Sequence, residues 1–204
     1  MSENSFKLPS FAKINWFLKI LGKRDDNFHE ICTTFQTVSL HDNLYFAASD
    51  ELKLTCDIPQ IPTGENNLII KAAQILREKY DIKNGAEIFL EKRIPSPGGL
   101  GGGSSNAAVA LIGLARLWKI EIRRAEFAEI AAGLGSDVPF FLDGGTSLGT
   151  GRGTEITPIE DIEEKFLLII TPDVAVPTQA AYARLNAPRL TNFSSKSILK
   201  LCRD

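Results

Sequence analysis

Residues 94–108, IPSPGGLGGGSSNAA, hold five glycines within six positions, residues 98–103, broken only by Leu100. Glycine lets backbone N–H groups approach a ligand closely and takes φ values that other residues avoid. Two serines, an asparagine and an alanine-rich pattern follow at once. A helix starting at Ser104 or Ser105 would turn its free N–H groups and positive dipole end toward the same place. That combination makes a phosphate cradle. No charged residue lies between Arg93 and Arg116, so an anion held here would be held mainly by backbone dipoles.

The loop matches neither common nucleotide signature. Gly98 and Gly103 have the separation of a P-loop, but Ser104 and Ser105 stand where that motif needs Lys then Ser or Thr. No G-x-G-x-x-G register can be found in it. A flexible Gly/Ser linker is the plain alternative. Against it, a strand pattern (AEIFLEKRI, 86–94) enters the loop and a helix pattern (SSNAAVALIGLARLW, 104–118) leaves it.

Phosphoryl transfer needs more than a cradle: cations, and a carboxylate to orient and deprotonate the acceptor hydroxyl. Asp137, in GLGSDVPFFL, is the carboxylate candidate. Read locally, Ser136 or Asp137 serves equally well as a helix N-cap. Lys13 is the cation candidate, in a strand whose alternation could put it and Asn15 on one face. A solvent-facing lysine is the ordinary case. Phe28 and His29 follow the charged turn KRDDN and could stack on and hydrogen-bond a ring. A surface histidine beside a half-buried phenylalanine is the plain alternative.

The elements that must position these residues are legible in outline. Residues 11–21 read as a strand closed by Gly22, and FHEICTTFQTVSL and DNLYFAAS as two more, with His41, Asp42 and Asn43 as the turn between them. KLTCDI is a short strand, and residues 68–80 have helical spacing. RRAEFAEIAAGLG reads as a helix stopped by Gly133 and Gly135. TSLGTGRGTEITPI reads as strand, glycine turn and strand. Residues 166–171 read as a short buried strand, and PTQAAYARL and SSKSILKLC as helices. The expected fold is α+β: a mixed, largely antiparallel sheet with helices on one side over residues 1–157, then the start of a ferredoxin-like layer over 158–204, too short for a core of its own.

Composition narrows the function classes. The chain has 204 residues and a formal net charge of −2, which argues against a general nucleic-acid binder. Its apolar runs are too short to span a bilayer, so no membrane partner is expected. No secretory h-region follows Met1, and Cys32, Cys56 and Cys202 form no C-x-x-C pair, so a cytoplasmic location and no protein-held metal site are expected.

Three segments taken together resemble one family. FAKINWFLKILGKRDDNFHEI, PSPGGLGGGSSNAA and LGSDVPFF occur in the order and spacing of the GHMP kinases. Within that superfamily the pattern is most similar to the kinases of 4-diphosphocytidyl-2-C-methyl-D-erythritol, from about Phe11 to Tyr182. The resemblance implies an N-terminal domain of the ribosomal protein S5 domain 2-like fold, and ATP with Mg²⁺ as cofactors. It implies a small-molecule acceptor, a cytidine diphosphate methylerythritol, in a monomer or homodimer. It assigns Pro97, Gly98, Gly99, Leu100, Gly101, Gly102, Gly103, Ser104, Ser105 and Asn106 to the ATP phosphates, with Asn67 by the nucleoside. Asp137 becomes the catalytic base and Lys13 its partner. Asn15, Phe28, His29, Thr178 and Tyr182 line the acceptor site, Phe28 standing where many relatives carry Tyr. The family's third glycine-rich motif, of G-S-G-P-T type, is not found, so the chain is expected to be short at its C-terminus. Another GHMP small-molecule kinase, or an inactive nucleotide-binding fragment, are the alternative readings.

Overall fold

The structure, a computed structural model, describes residues 5–172 together with Ala181 and Arg184. A six-stranded sheet carries β1 (Phe6–Lys23), β2 (His29–Ser49), β3 (Leu52–Cys56), β4 (Gly85–Glu91), β5 (Thr146–Thr150) and β6 (Glu155–Pro158). Four helices are interspersed: α1 (Leu68–Lys79), α2 (Gly102–Trp118), α3 (Arg124–Leu134) and the single turn α4 (Phe140–Asp143). Only β3 and β4 pair in parallel; the other pairings are antiparallel. The expected α+β sheet of mixed direction is therefore present.

The long strand β2 organises the sheet. One edge pairs with β1 along its whole length. The other edge is shared: residues 43–49 pair with β4, and residues 33–36 with β5. The stretch between, residues 37–42, has no strand on that edge, and here the chain leaves β4 for the glycine loop.

This corrects two expectations. His41, Asp42 and Asn43 are not a turn, and the two strands expected on either side of them are one. The polar residues that suggest a turn are accommodated by a bulge: Phe11 pairs with His41 but Ala12 with Val38, so Ser39 and Leu40 are extra on β2. The bulge absorbs the break in alternation without ending the strand. Residues 166–171 do not form a buried strand either. Phe166, Leu168 and Ile170 are exposed and no described strand runs beside them. An apolar run has strand character only where a ladder partner and a covered face exist. The helices expected at PTQAAYARL and SSKSILKLC lie almost wholly outside the described residues.

The core lies between the sheet and α1, α2 and α3. Helix α2 is the central one: residues 105–111 are all buried. Its closest approach to the sheet is at Gly113, where an added Cβ would sit 2.4 Å from Phe46 Cζ. Phe46 stacks on Phe6 at 5.3 Å, so the ring cannot retreat without disturbing a second aromatic. Helix α1 starts at Asn67, whose side chain accepts from Ile69 N–H at 2.8 Å, an N-cap that satisfies one orphan donor.

Gly113→Ala is expected to destabilise the protein by about 1 to 3 kcal/mol through overpacking. Urea unfolding checks it: adding Phe46→Leu should recover part of the loss if the ring contact is its cause.

Candidate active site

The glycine loop is fixed from below by a buried carboxylate that sequence reasoning missed. Asp42 is fully buried in β2. Its Oδ1 accepts the backbone N–H of Arg93 and of Ile94, both at 2.7 Å, where the chain leaves β4. Its Oδ2 accepts from Asn106 Nδ2 on α2 at 2.9 Å and faces Lys92 Nζ at 2.9 Å. Lys92 is itself buried and donates on to the Ile94 carbonyl. Asn106 Nδ2 also donates to Ser10 Oγ at 2.9 Å, and Ser10 Oγ donates to Ser105 Oγ at 2.8 Å. One carboxylate thus joins β1, β2, the entry to the loop and the start of α2. Residues 96–99 project into solvent, while Leu100 turns inward onto Ala12 and Ile94.

The loop ends in a left-handed residue. Gly101 (φ +71°) is the N-cap of α2, with no side-chain cap. The first helical bond runs from Ser105 N–H to the Gly101 carbonyl at 2.8 Å, which leaves the N–H groups of Gly102, Gly103 and Ser104 ahead of it. This is the backbone concavity expected for an anion. No side chain fits at Gly101: a Cβ would lie 2.6 Å from Phe141 Cζ and 3.0 Å from Lys13 Cγ. The expectation that only backbone dipoles face the loop needs amending. Lys13 lies against Gly101, and Lys92 Nζ would be 3.2 Å from a Cβ on Gly102, although Asp42 already pairs the Lys92 charge.

Lys13 is not the ordinary solvent lysine: 6% of its surface is exposed. Its backbone N–H donates to the Leu100 carbonyl at 2.9 Å, tying β1 to the loop. Its Nζ donates to Asn15 Oδ1 at 2.6 Å, lies 5.5 Å from the Phe35 ring centre, and faces Asp137 Oδ2 at 3.6 Å. Asn15 is held in turn, its Nδ2 donating to Thr33 Oγ1 at 2.6 Å. Asp137 stands in the turn just before α4, whose start bears no side-chain cap, and its carboxyl is partly open to solvent. Phe140 packs on Phe35 at 5.0 Å and Phe141 meets Gly101, so α4 sets Asp137 against both lysine and loop. The structure therefore brings Lys13, Asn15, Asp137 and residues 100–106 together. A cavity of about 880 Å³ beside Thr37, Val38 and Asp161 is lined by none of them.

Phe28 lies in the turn before β2 and His29 opens that strand. Phe28 is half exposed, with the Arg152 guanidinium 4.4 Å above its ring. The Phe28 N–H donates to Asp26 Oδ1 at 3.1 Å. Desolvation would raise the Asp26 carboxyl, but that N–H and the neighbouring Arg24 hold it below its ordinary value. Asn67 hydrogen-bonds to Ile69 N–H and the Pro62 carbonyl, at the start of α1 rather than at the loop. Thr178 and Tyr182 lie outside the described residues.

Comparison with known proteins gives this geometry a context. The family described as GHMP kinases N terminal domain matches residues 67–145. The 4-diphosphocytidyl-2-C-methyl-D-erythritol kinase of Thermoanaerobacter pseudethanolicus is 43% identical over 176 residues, covering 86% of this chain and 61% of that protein. The enzyme of that name from Prochlorococcus marinus (strain MIT 9301) is 40% identical, covering 90% and 60%. A crystal structure of 4-(cytidine 5'-diphospho)-2C-methyl-D-erythritol kinase superposes with a TM-score of 0.73 at 33% identity, covering 91% of this chain and 68% of that one.

The chain belongs to the GHMP kinase family.

It spans about three-fifths of the length of the curated relatives it matches. Homoserine kinase from Cytophaga hutchinsonii shares the fold, with a TM-score of 0.65 at 17% identity. In this member of the family the glycine loop and Asp137 fall within the matched segment, whereas Lys13 and Asn15 precede it. Among the described residues no helix is long and apolar enough to cross a membrane.

Asp42→Ala leaves Lys92 buried without its partner and should cost about 3 to 5 kcal/mol. Adding Lys92→Met should restore part of that stability in urea unfolding. Nucleotide affinity should stay low in the double variant, because the Arg93 and Ile94 N–H groups have lost their anchor. Gly101→Ala should cost about 1 to 2 kcal/mol for the left-handed backbone alone. The contact with Phe141 adds to that, and ADP binding by calorimetry should weaken with it.

Proposed function

We propose that this chain provides the nucleotide site and catalytic pair of a 4-diphosphocytidyl-2-C-methyl-D-erythritol kinase, which transfers the γ-phosphoryl group of ATP to the 2-hydroxyl of its acceptor. The observation that carries this reading is the Lys13–Asp137 pair set against the uncapped, left-handed start of α2. The identity of about 40% with curated kinases of that name supports the choice of acceptor.

ATP with Mg²⁺ would supply the phosphoryl group and neutralise its charge. The residues present fit both. Gly101 has room for backbone only, and the N–H groups of residues 102–104 precede the first helical bond, as phosphate oxygens require. Among the described residues no group of three or more His, Cys, Asp or Glu could hold a metal. Mg²⁺ keeps several waters and is carried by substrate phosphates with one or two protein oxygens. The Ser104 hydroxyl, ahead of the first helical bond, would be one such oxygen.

The chain's own residues do the rest. Asp137 Oδ2 accepts the proton of the acceptor hydroxyl as that oxygen bonds to phosphorus. Lys13 Nζ keeps the carboxylate aimed and meets charge developing at the γ-phosphoryl. Asn15 and Thr33 hold the lysine in line from β1 and β2. Most of the rate enhancement is then positioning and preorganised charge rather than bond chemistry by the protein.

The test is ADP release by this chain with Mg-ATP and the cytidyl acceptor. Acceptor-dependent turnover is expected, with a loss of roughly a hundredfold or more in Asp137→Asn. Release independent of acceptor, or undiminished in Asp137→Asn, would refute the reading.

A further inference from the structure

The turn between β5 and β6 carries a cation that the catalytic pair does not use. Arg152 sits between Gly151 (φ +67°) and Gly153 (φ +87°), in a turn locked to β2. Glu30, 3% exposed, accepts the Gly151 N–H at 3.0 Å and is bridged by Arg24. The Ile31 N–H returns the tie to the Gly151 carbonyl at 2.8 Å. The position of Arg152 is therefore built, not incidental.

Arg152 acts on Asp26 only at longer range and makes no close ion pair among the described residues. Arg24 is paired with Glu30 and Asp26. Among the described residues no carboxylate lies within 4.0 Å of Arg152. Its contact is instead with the face of Phe28, which leaves the N–H edge of the guanidinium for a ligand. That edge matches phosphate oxygens in a bidentate manner.

The distance to the chemistry suits a long acceptor. Phe35 links the two places: Lys13 Nζ lies over its ring, and a Cβ on Gly153 would be 3.8 Å from its Cζ. Because the Arg152 guanidinium lies over the Phe28 ring, an acceptor ring held at Phe28 would bring the groups attached to it within reach of this turn. We propose that Arg152 is a specificity-determining residue that binds the diphosphate of a nucleoside diphosphate acceptor, with Phe28 as its platform. This rests on the acceptor reading above and adds to it the group that recognises the anion.

Calorimetric titration of the full chain with cytidine, CMP and CDP, in wild type and Arg152→Gln, tests it. Wild type should bind CDP more tightly than cytidine. Arg152→Gln should lose about tenfold in CDP affinity while cytidine changes less than about twofold. Arg152→Lys should recover only part, since a point charge lacks the fork. In turnover the loss should appear in the acceptor KM, with kcat retained. Equal losses for cytidine and CDP would assign Arg152 to supporting the Phe28 ring and overturn the proposal. Unchanged affinities in a folded variant would overturn it as well, leaving the acceptor reading intact. Failure of wild type to bind any of the three, while ADP still binds, would overturn the acceptor reading and this inference with it.

Discussion

The site depends on a carboxylate that never meets a ligand. A glycine-rich loop has little side-chain surface with which to hold its own shape, and glycine loses more entropy than any other residue when ordered. The ordering must come from outside the loop. Asp42 does this by accepting two consecutive backbone N–H groups at the point where β4 ends, and by gripping Asn106 on the first turn of α2. Both ends of the loop are thereby tied to one side chain. Its negative charge, buried among strands, would be untenable alone; Lys92 and the N–H donors satisfy it. The same lysine then bonds the Ile94 carbonyl, so the counter-ion is itself part of the loop's base.

The placing of Lys13 beside Asp137 follows from that anchoring. Once Leu100 is turned inward, its carbonyl receives the Lys13 N–H, and β1 is fixed against the loop at Lys13. Phe141 fills the space that a side chain at Gly101 would occupy, which draws α4 and the preceding turn toward the same point. Asp137 is carried there by the helix, not by a contact of its own with the loop. The missing side chain at Gly101 thus has two effects: it leaves the backbone N–H groups at the start of α2 uncovered, and it lets Lys13 and Phe141 pack close against the loop.

Much of this frame was legible in the sequence, and the failures have physical reasons. Alternation along β1 placed Lys13 and Asn15 on one side, and their hydrogen bond agrees. Glycine and serine types marked the cradle and the helix after it. Nothing local linked Asp137 to Lys13; that pairing came only from the resemblance to a family, because contact between distant segments leaves no trace in either one. Asp42 was misread for the opposite reason. A buried acid within His41, Asp42 and Asn43 looks like a solvated turn, since polar residues usually mark turns. Only the incoming N–H groups of Arg93 and Ile94, far along the chain, make a buried position tolerable for it. Residues 166–171 failed similarly: apolar content suggested a strand, but strand formation is decided by a partner, which composition does not report.

The anchoring device occurs twice on the same strand. Asp42 lies toward one part of β2 and Glu30 at its beginning, both buried acids. Each accepts backbone N–H from a segment arriving from elsewhere, residues 93–94 in one case and Gly151 in the other. Each is paired with a basic residue that belongs to the local structure, Lys92 or Arg24. The Glu30 hydrogen bond accordingly raises the Arg24 guanidinium above its ordinary value. A carboxylate suits this task because it accepts several donors at once and binds N–H more strongly than a neutral acceptor. A strand suits it because the ladder fixes the side chain's origin. One strand with two buried acids can therefore hold two mobile-by-composition turns at a set separation. Beta-sheet register, rather than direct contact between the two turns, sets the distance between them.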